Sequence, residues 1–421
     1  MINGRSTLLR FVIAAVLGLG ILALLTWGNY AYSVKNPGGN DFLTQWVSTR
    51  TFLTAGISPY SDETSLQIQL DAYGRPALPG EYELRETLPL YSIAVFLPFA
   101  LIKDYFWARA AWMTVLEIGI VLLSIVSIKL VDWRPGPIIL GIFIFFSLLW
   151  YHAFRPIING NVVILVALFL AGGLLALKNG QDELAGVLIA LSTIKPQVVI
   201  LAFIFLLIWS IQVRRWRLTG WMLSSLVLLI AIAALLLPDW LLQNLREFLR
   251  YPANNPPSTL QSALGYFFPA MGARIGWIIA GVLGVVLLIE WWLARRWDFG
   301  GILWTTCFSL VVSQWIGIQT DPANFIITLP ATVLVFSLWE ERWRRTGRIF
   351  TYACLLLLFF GIWALVVSTT TNITQPIQNP MLFFPYPVFM LVMLFWVRWW
   401  AVKPLHPWFD SIYMQENPWR K

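Results

Sequence analysis

The sequence predicts an all-α polytopic membrane protein of about twelve transmembrane helices, and three observations predict it. Of the 421 residues, 58% are hydrophobic and 12% charged, against roughly 25% charged in an average soluble domain. Apolar runs of about 17–25 residues recur from one end to the other, the length an α-helix needs to cross a bilayer. Basic residues gather beside tryptophan at the ends of those runs, in Arg214-Arg215-Trp216-Arg217, Arg295-Arg296-Trp297, Arg342-Trp343-Arg344-Arg345 and Arg398-Trp399-Trp400. Cations held inside and indole rings at headgroup level mark a cytoplasmic boundary. Strands are excluded, because open sheet edges in lipid leave backbone groups unpaired at several kcal/mol each.

The spans are expected near 8–32, 88–102, 106–128, 136–153, 161–177, 184–210, 218–237, 275–294, 301–318, 323–339, 349–368 and 382–401. Arg5 and Arg10 precede an apolar stretch too long for a signal-peptide core and without a small-residue cleavage site, which predicts a retained anchor. With the N-terminus inside, this count puts every Trp/Arg cluster and the 403–421 tail in the cytoplasm, and the uncharged loop Thr369–Met381 outside.

Two long segments, 33–87 and 238–274, then lie outside. Residues 41–55 place Phe42, Trp46, Thr49, Phe52 and Leu53 on one stripe, ended by Gly56 and Pro59, which predicts an amphipathic helix along the membrane. In the second segment Trp240, Leu241, Leu242, Leu245, Phe248 and Leu249 oppose Arg246, Glu247 and Arg250, predicting another surface helix. No internal repeat divides residues 1–421, so the chain reads as one membrane domain in the cell membrane, with its function on the outer face.

The net charge of +8 belongs to the span ends and does not indicate nucleic acid. Cys307 and Cys354 lie in apolar stretches, so no disulfide framework is expected. There is no P-loop and no Gly-rich dinucleotide turn. His152 and His406 are the only histidines, too few for a His-built metal site. No Asp-x-Asp pair is present to anchor the metal of a nucleotide-sugar. An enzyme here needs a substrate already activated and membrane-bound, and no cofactor or metal is expected.

Asp41 has two readings. It is either a first-turn acid that complements the helix dipole and caps free amides, or a general base at the water–lipid boundary. Lys195, in Ile194-Lys195-Pro196, falls inside a predicted span, where ionisable groups are functional candidates. It either meets a lipid phosphate or pairs with Glu117, each being roughly 16 Å deep in its helix at ~1.5 Å per residue. Glu86, Arg85 and Asp321 read as solvated interfacial charges or site groups. Arg246 and Arg250 are suited to a phosphate or to lipid headgroups. The segment His152–Asn161, with Arg155, Asn159 and Asn161, is expected as a packed cytoplasmic turn, and Glu290 as a structural partner of Arg295 and Arg296.

The pattern Asp41-Phe-x-x-x-Trp46, Ala55-Gly56-x-Ser58-Pro59-Tyr60 and Leu88-Pro-Leu-Tyr91 entering Leu97-Pro98 resembles glycosyltransferase family 87. Asn159-Gly160-Asn161-Val162 stands at the family's Gly-Gln turn. Ala185-Gly186 with Ile194-Lys195-Pro196 is similar to its Lys-Pro stretch, and Ser258-x-x-Gln261-Ser262 to its Asn-x-Ser region. The resemblance runs over about residues 38–340 and implies a GT-C-like fold and a polyprenyl-phosphate-sugar donor, as in a mannosyltransferase of glycolipid synthesis. By position it implies Asp41 as catalytic base and Lys195 as the family's lysine. Where relatives often carry a His pair, this chain has Gln319-Thr-Asp321-Pro-x-Asn324, so the acceptor or the hold on the donor departs from the pattern.

The implied reaction is one inverting displacement. Asp41 deprotonates the hydroxyl of a lipid or glycan acceptor, which attacks the anomeric carbon; Lys195, Arg250 and Arg246 hold the departing phosphate. Glu86, Tyr60, Gln319 and Asp321 are further candidate site residues. Two rivals remain: another envelope polysaccharide polymerase or ligase, and a transporter or flippase. The latter usually shows matching halves with paired broken helices, which this chain lacks.

Overall fold

The computed structural model of the protein describes residues 2–78, 81–254, 259–316, 321–370 and 379–402. Gln319, the 403–421 tail and most of the uncharged Thr369–Met381 loop lie outside them. All regular structure among the described residues is helical. In chain order the helices are α1 (Ile2–Lys35), α2 (Asn40–Ala55), α3 (Asp62–Tyr73), α4 (Ile93–Ala100), α5 (Tyr105–Leu130), α6 (Pro137–Leu149) and α7 (Tyr151–Asn159). They continue as α8 (Val163–Lys178), α9 (Asp182–Leu191), α10 (Pro196–Gln212), α11 (Trp216–Leu236), α12 (Trp240–Asn254), α13 (Leu260–Phe267) and α14 (Gly272–Ala294). The last are α15 (Phe299–Ser313), α16 (Leu329–Trp343), α17 (Arg345–Leu356), α18 (Ile362–Thr369) and α19 (Pro385–Ala401).

Among the described residues seven helical segments are long and apolar enough to cross a membrane, or eight if α6 and α7, bent by 45°, count as one. Four shorter apolar helices accompany them, Leu90–Ala100, Val163–Lys178, Pro196–Gln212 and Phe299–Ser313. The chain is an all-α, polytopic membrane protein.

Two ends of the bundle can be told apart by what meets there. At one end, Lys178 Nζ reaches Asp132 Oδ2 at 2.6 Å and the carbonyls of Lys129 and Leu130 at 3.0 Å. Arg215 pairs with Asp182 at 2.7 Å there too. At the other end, Trp46 and Arg50 of α2 donate to the carbonyls of Ile102 and Ala100, and Tyr105 donates to Gly38 O at 2.7 Å.

These contacts correct two of the expected spans. The stretch 88–102 does not cross: Tyr60 of the first long segment holds Leu88 O at 2.8 Å, while the same segment holds Ile102. Its helix α4 has eight residues with Pro98 inside, roughly 12 Å of rise, far short of the ~30 Å hydrocarbon core. The stretch 184–210 is not one span but two arms, α9 and α10, with both feet at the Arg215–Asp182 end. Pro196, which lacks an amide donor, and Lys195, at φ −125° and ψ 78°, turn the chain between them. Each correction changes by one the number of times the chain passes between the two ends, so Arg214–Arg217 still lies at the end opposite Asp41. The order in between is inverted. His152–Asn161, expected in the cytoplasm with Lys129–Arg134 opposite, lies at the Asp41 end, and Lys129–Arg134 at the basic end.

A third correction concerns α2. Phe42, Leu43, Val47 and Thr49 are buried by protein, and only Leu53 of the predicted stripe is exposed. The Phe42 ring stacks on Trp112 at 5.8 Å, and the side chain is fully buried, a burial worth roughly 1.5–3 kcal/mol. Helix α12 does show a bare apolar row, Leu241, Leu242, Leu245 and Leu249, with Trp240 and Glu247 turned inward.

Candidate functional site

Asp41 sits in the first turn of α2, and the approach to it is set by glycine. Gly39 has φ 79°, and a Cβ there would lie 2.5 Å from Arg109 Nε. Arg109 is buried and donates to Asn36 O at 2.8 Å and Ile158 O at 3.0 Å, carbonyls just past the last turn of α1 and within that of α7. A cation is favoured there because helix C-termini carry partial negative charge. Gly160 repeats the device: φ is 72°, and a Cβ would meet Phe42 Cβ at 2.4 Å. Trp112 Nε1 donates to Gly160 O at 2.8 Å. The segments that carry Asp41 and Asn161 are thereby pinned to one another.

From this clasp a polar chain runs through the protein. Asn161 Nδ2 donates to Asp41 Oδ2 at 2.9 Å, and Asn161 Oδ1 accepts from Val163 N at 3.0 Å and Lys195 Nζ at 2.8 Å. Lys195 donates again to Asn324 Oδ1 at 2.7 Å. Asn161, Lys195 and Asn324 are all buried. Asn324 lies in the short 3-10 segment Pro322–Thr328, whose cap Asp321 accepts from Ala323 N at 2.7 Å. Arg155 of α7 pairs with Asp321 at 3.4 Å, and His152 Nδ1 donates to Pro322 O at 2.7 Å.

The two carboxyls of this cluster are pushed in opposite directions. Burial raises Asp41 above the usual aspartate range, opposed by Lys195, reinforced by Asp321, and opposed again by Arg155 and the Asn161 amide. Burial acts on Asp321 too, but the Arg155 guanidinium, the Ala323 amide and Lys195 outweigh it and hold that carboxyl low. Asp41 is the acid of the first turn of α2, where a carboxylate complements the helix dipole, and its side-chain hydrogen bond goes to Asn161 rather than to an amide of the helix.

Glu86 is not a solvated interfacial charge. It is 4% exposed, and its Oε1 accepts from Gln45 Nε2 at 2.8 Å and Leu88 N at 2.7 Å. Burial pushes its carboxyl up to about 7. Gln45 is one helical turn beyond Asp41, which puts the two polar groups side by side on α2, about 5–6 Å apart at Cβ. Tyr60 is buried beside it, its phenol raised chiefly by burial and by Glu86.

Other expected residues go elsewhere. Arg246 and Arg250 are each 3.4 Å from buried Glu247, with Arg85 at 3.5 Å. Arg85 also pairs with Asp62 and Glu83 at 2.7 and 2.6 Å. Glu117 does not neutralise Lys195; it accepts from Asn29 at 2.9 Å, beside a largely apolar cavity of about 500 Å³ between α1, α5, α6 and α7. Glu290 takes a two-pronged bond from Arg398, both at 2.9 Å, rather than from Arg295 or Arg296. Arg155, Asn161 and Asn324 were not among the expected site residues. Polar side chains inside otherwise apolar runs were the available signal, and the inverted span order hid it.

A family model described as Glycosyltransferase family 87 matches residues 87–315, more than half of the chain. That stretch contains Arg155, Asn161 and Lys195, while Asp41, Asp321 and Asn324 stand outside it. No curated protein and no solved structure matches.

Proposed function

The chain belongs to glycosyltransferase family 87, and on that premise we propose that it is an inverting transferase using a polyprenyl-phosphate sugar. The sugar is mannose, another hexose or a pentose, and the acceptor a lipid or glycan. The observation that carries this reading is the buried chain Asp41–Asn161–Lys195, which sets a carboxylate and an ammonium two hydrogen bonds apart. That chain lies at the end of the bundle opposite Arg214–Arg217. By the bias of positive charge toward the cytoplasm, the site faces outward across the cell membrane, where a lipid-linked donor is available.

Asp41 Oδ2 is taken by Asn161, and its other oxygen is the one offered to the acceptor. The acceptor hydroxyl gives its proton to Asp41 as its oxygen bonds the anomeric carbon. The bond from that carbon to the phosphate oxygen breaks on the opposite face, and the electron pair leaves with polyprenyl phosphate. The leaving phosphate is already anionic, so it needs fixed positive charge more than a proton. Lys195 supplies it, with Arg155 as a second cation able to hold phosphate in a planar fork. Arg246 and Arg250, half-exposed around Glu247, serve lipid phosphate at the surface instead.

The test is sugar transfer in proteoliposomes with labelled polyprenyl-phosphate mannose, glucose or arabinose and a crude lipid acceptor. Wild type should transfer one of them. Asp41→Asn, which keeps the shape and an acceptor oxygen but cannot take a proton, should lose about 10²–10⁴-fold. Equal transfer by both would remove Asp41 from the mechanism.

A further inference from the structure

We propose that Asn161 is a positioning residue that couples the base to the cation, its single carboxamide orienting Asp41 with one end and holding Lys195 with the other. The inference rests on the reading of Asp41 and Lys195 just given, and adds a residue that acts through both.

The geometry leaves the carboxamide one orientation. Asn161 Oδ1 faces two donors, Val163 N at 3.0 Å and Lys195 Nζ at 2.8 Å, so it must be the oxygen. The nitrogen then necessarily faces Asp41 Oδ2, at 2.9 Å, and can only donate to it. A flipped amide would set N–H against two donors and an oxygen against a carboxylate. Rotation is further denied by position. Asn161 is 6% exposed and follows Gly160, whose carbonyl is held by Trp112 and whose Cα packs on Phe42.

The second carboxamide of the cluster does something different. Asn324 Oδ1 accepts from Lys195 at 2.7 Å, and no bond from Asn324 to Asp41 is among those described. Both amides hold the ammonium with neutral oxygens, which orient a cation without cancelling its charge. Among the described bonds of the two amides, it is Asn161 that also donates to the carboxylate. A donor to a carboxylate favours its ionised form, so Asn161 keeps Asp41 usable as a base in a setting where burial works against ionisation.

The two amides are thus separable by experiment. Asp41 ionisation is followed without turnover, from the carboxyl C=O infrared band that is present in the protein and absent from Asp41→Asn, during a pH titration in detergent. In Asn161→Ala the midpoint should move up by about one pH unit, the worth of one hydrogen bond to a charged group. In Asn161→Asp, which keeps size and the acceptors for Val163 and Lys195, like charge should move it up further. Asn324→Ala should leave the midpoint in place and raise the KM for the donor about tenfold. An unmoved midpoint in both Asn161 variants overturns the proposal. So does an equal shift in Asn324→Ala, which would trace the effect to Lys195 alone. Transfer assays on the same proteins run separately: if midpoints move as stated while wild type transfers no sugar from these donors, the coupling stands and the proposed polyprenyl-phosphate donor falls.

Discussion

Glu86 shows what a single buried acid does to the pH dependence of this fold. Among the described residues it has no cation partner, because its neighbour Arg85 turns to Asp62, Glu83 and Glu247. Its carboxyl is raised to about 7 from an ordinary value of 4.5. A raised carboxyl favours the fold while protonated. Its contribution is complete below about pH 4.5 and is lost as pH rises through 7, to the extent of about 3 kcal/mol. Glu86→Gln should therefore be more stable than wild type at pH 8 and equal to it near pH 4, as read from thermal unfolding in detergent across that range. A mutant with the wild-type pH profile would show that Glu86 is ionised in the folded protein. Arg155 makes a second prediction at this scale. Arg155→Lys keeps the charge beside Asp321 but loses the planar fork, so donor KM should rise about tenfold, with kcat less affected, in the proteoliposome assay.

At the scale of elements, the clasp around Gly160 is the most sensitive joint. An added methyl meets Phe42 Cβ at 2.4 Å on a backbone of φ 72°, and both partners are fixed by their own contacts. Gly160→Ala should cost about 2 kcal/mol or more of stability and reduce transfer by displacing Asn161. A thermal unfolding midpoint equal to wild type would show the joint to be pliant.

The elements also show what was legible in the sequence. Long apolar runs were readable, as was the helix α12 with its bare apolar row. The fates of 88–102 and 184–210 were not, because hydropathy reports that a segment avoids water and says nothing of whether it crosses or turns back. Pro98 and the Lys195-Pro196 pair were the available cues. The opposite charges of Asp182 and Arg215, paired at 2.7 Å, become a cue only once the chain is known to fold back. Asn161 and Asn324 were invisible as a pair, since their meeting point on Lys195 joins residues far apart in sequence.

For the whole molecule, the two reversals change which loops share a compartment. On a background lacking Cys307 and Cys354, single cysteines at Arg134 and Arg217, both exposed, should react with an impermeant maleimide from one side of a sealed vesicle. A cysteine at exposed Glu63 should react from the other. A twelve-span count without the reversals instead puts Arg134 with Glu63, so one labelling experiment separates the two topologies.

The meeting of Lys195 with Asn324 has a consequence in time. The two residues are 129 positions apart, an interval of roughly 6 to 26 seconds at the usual pace of synthesis. Through that interval the α9–α10 hairpin is already made, while the ammonium at its tip holds only one of its two amide partners. The hairpin tip is therefore completed only after the ribosome has delivered the 3-10 segment Pro322–Thr328. A chain that ends before residue 324 lacks one of the two amide oxygens that hold Lys195.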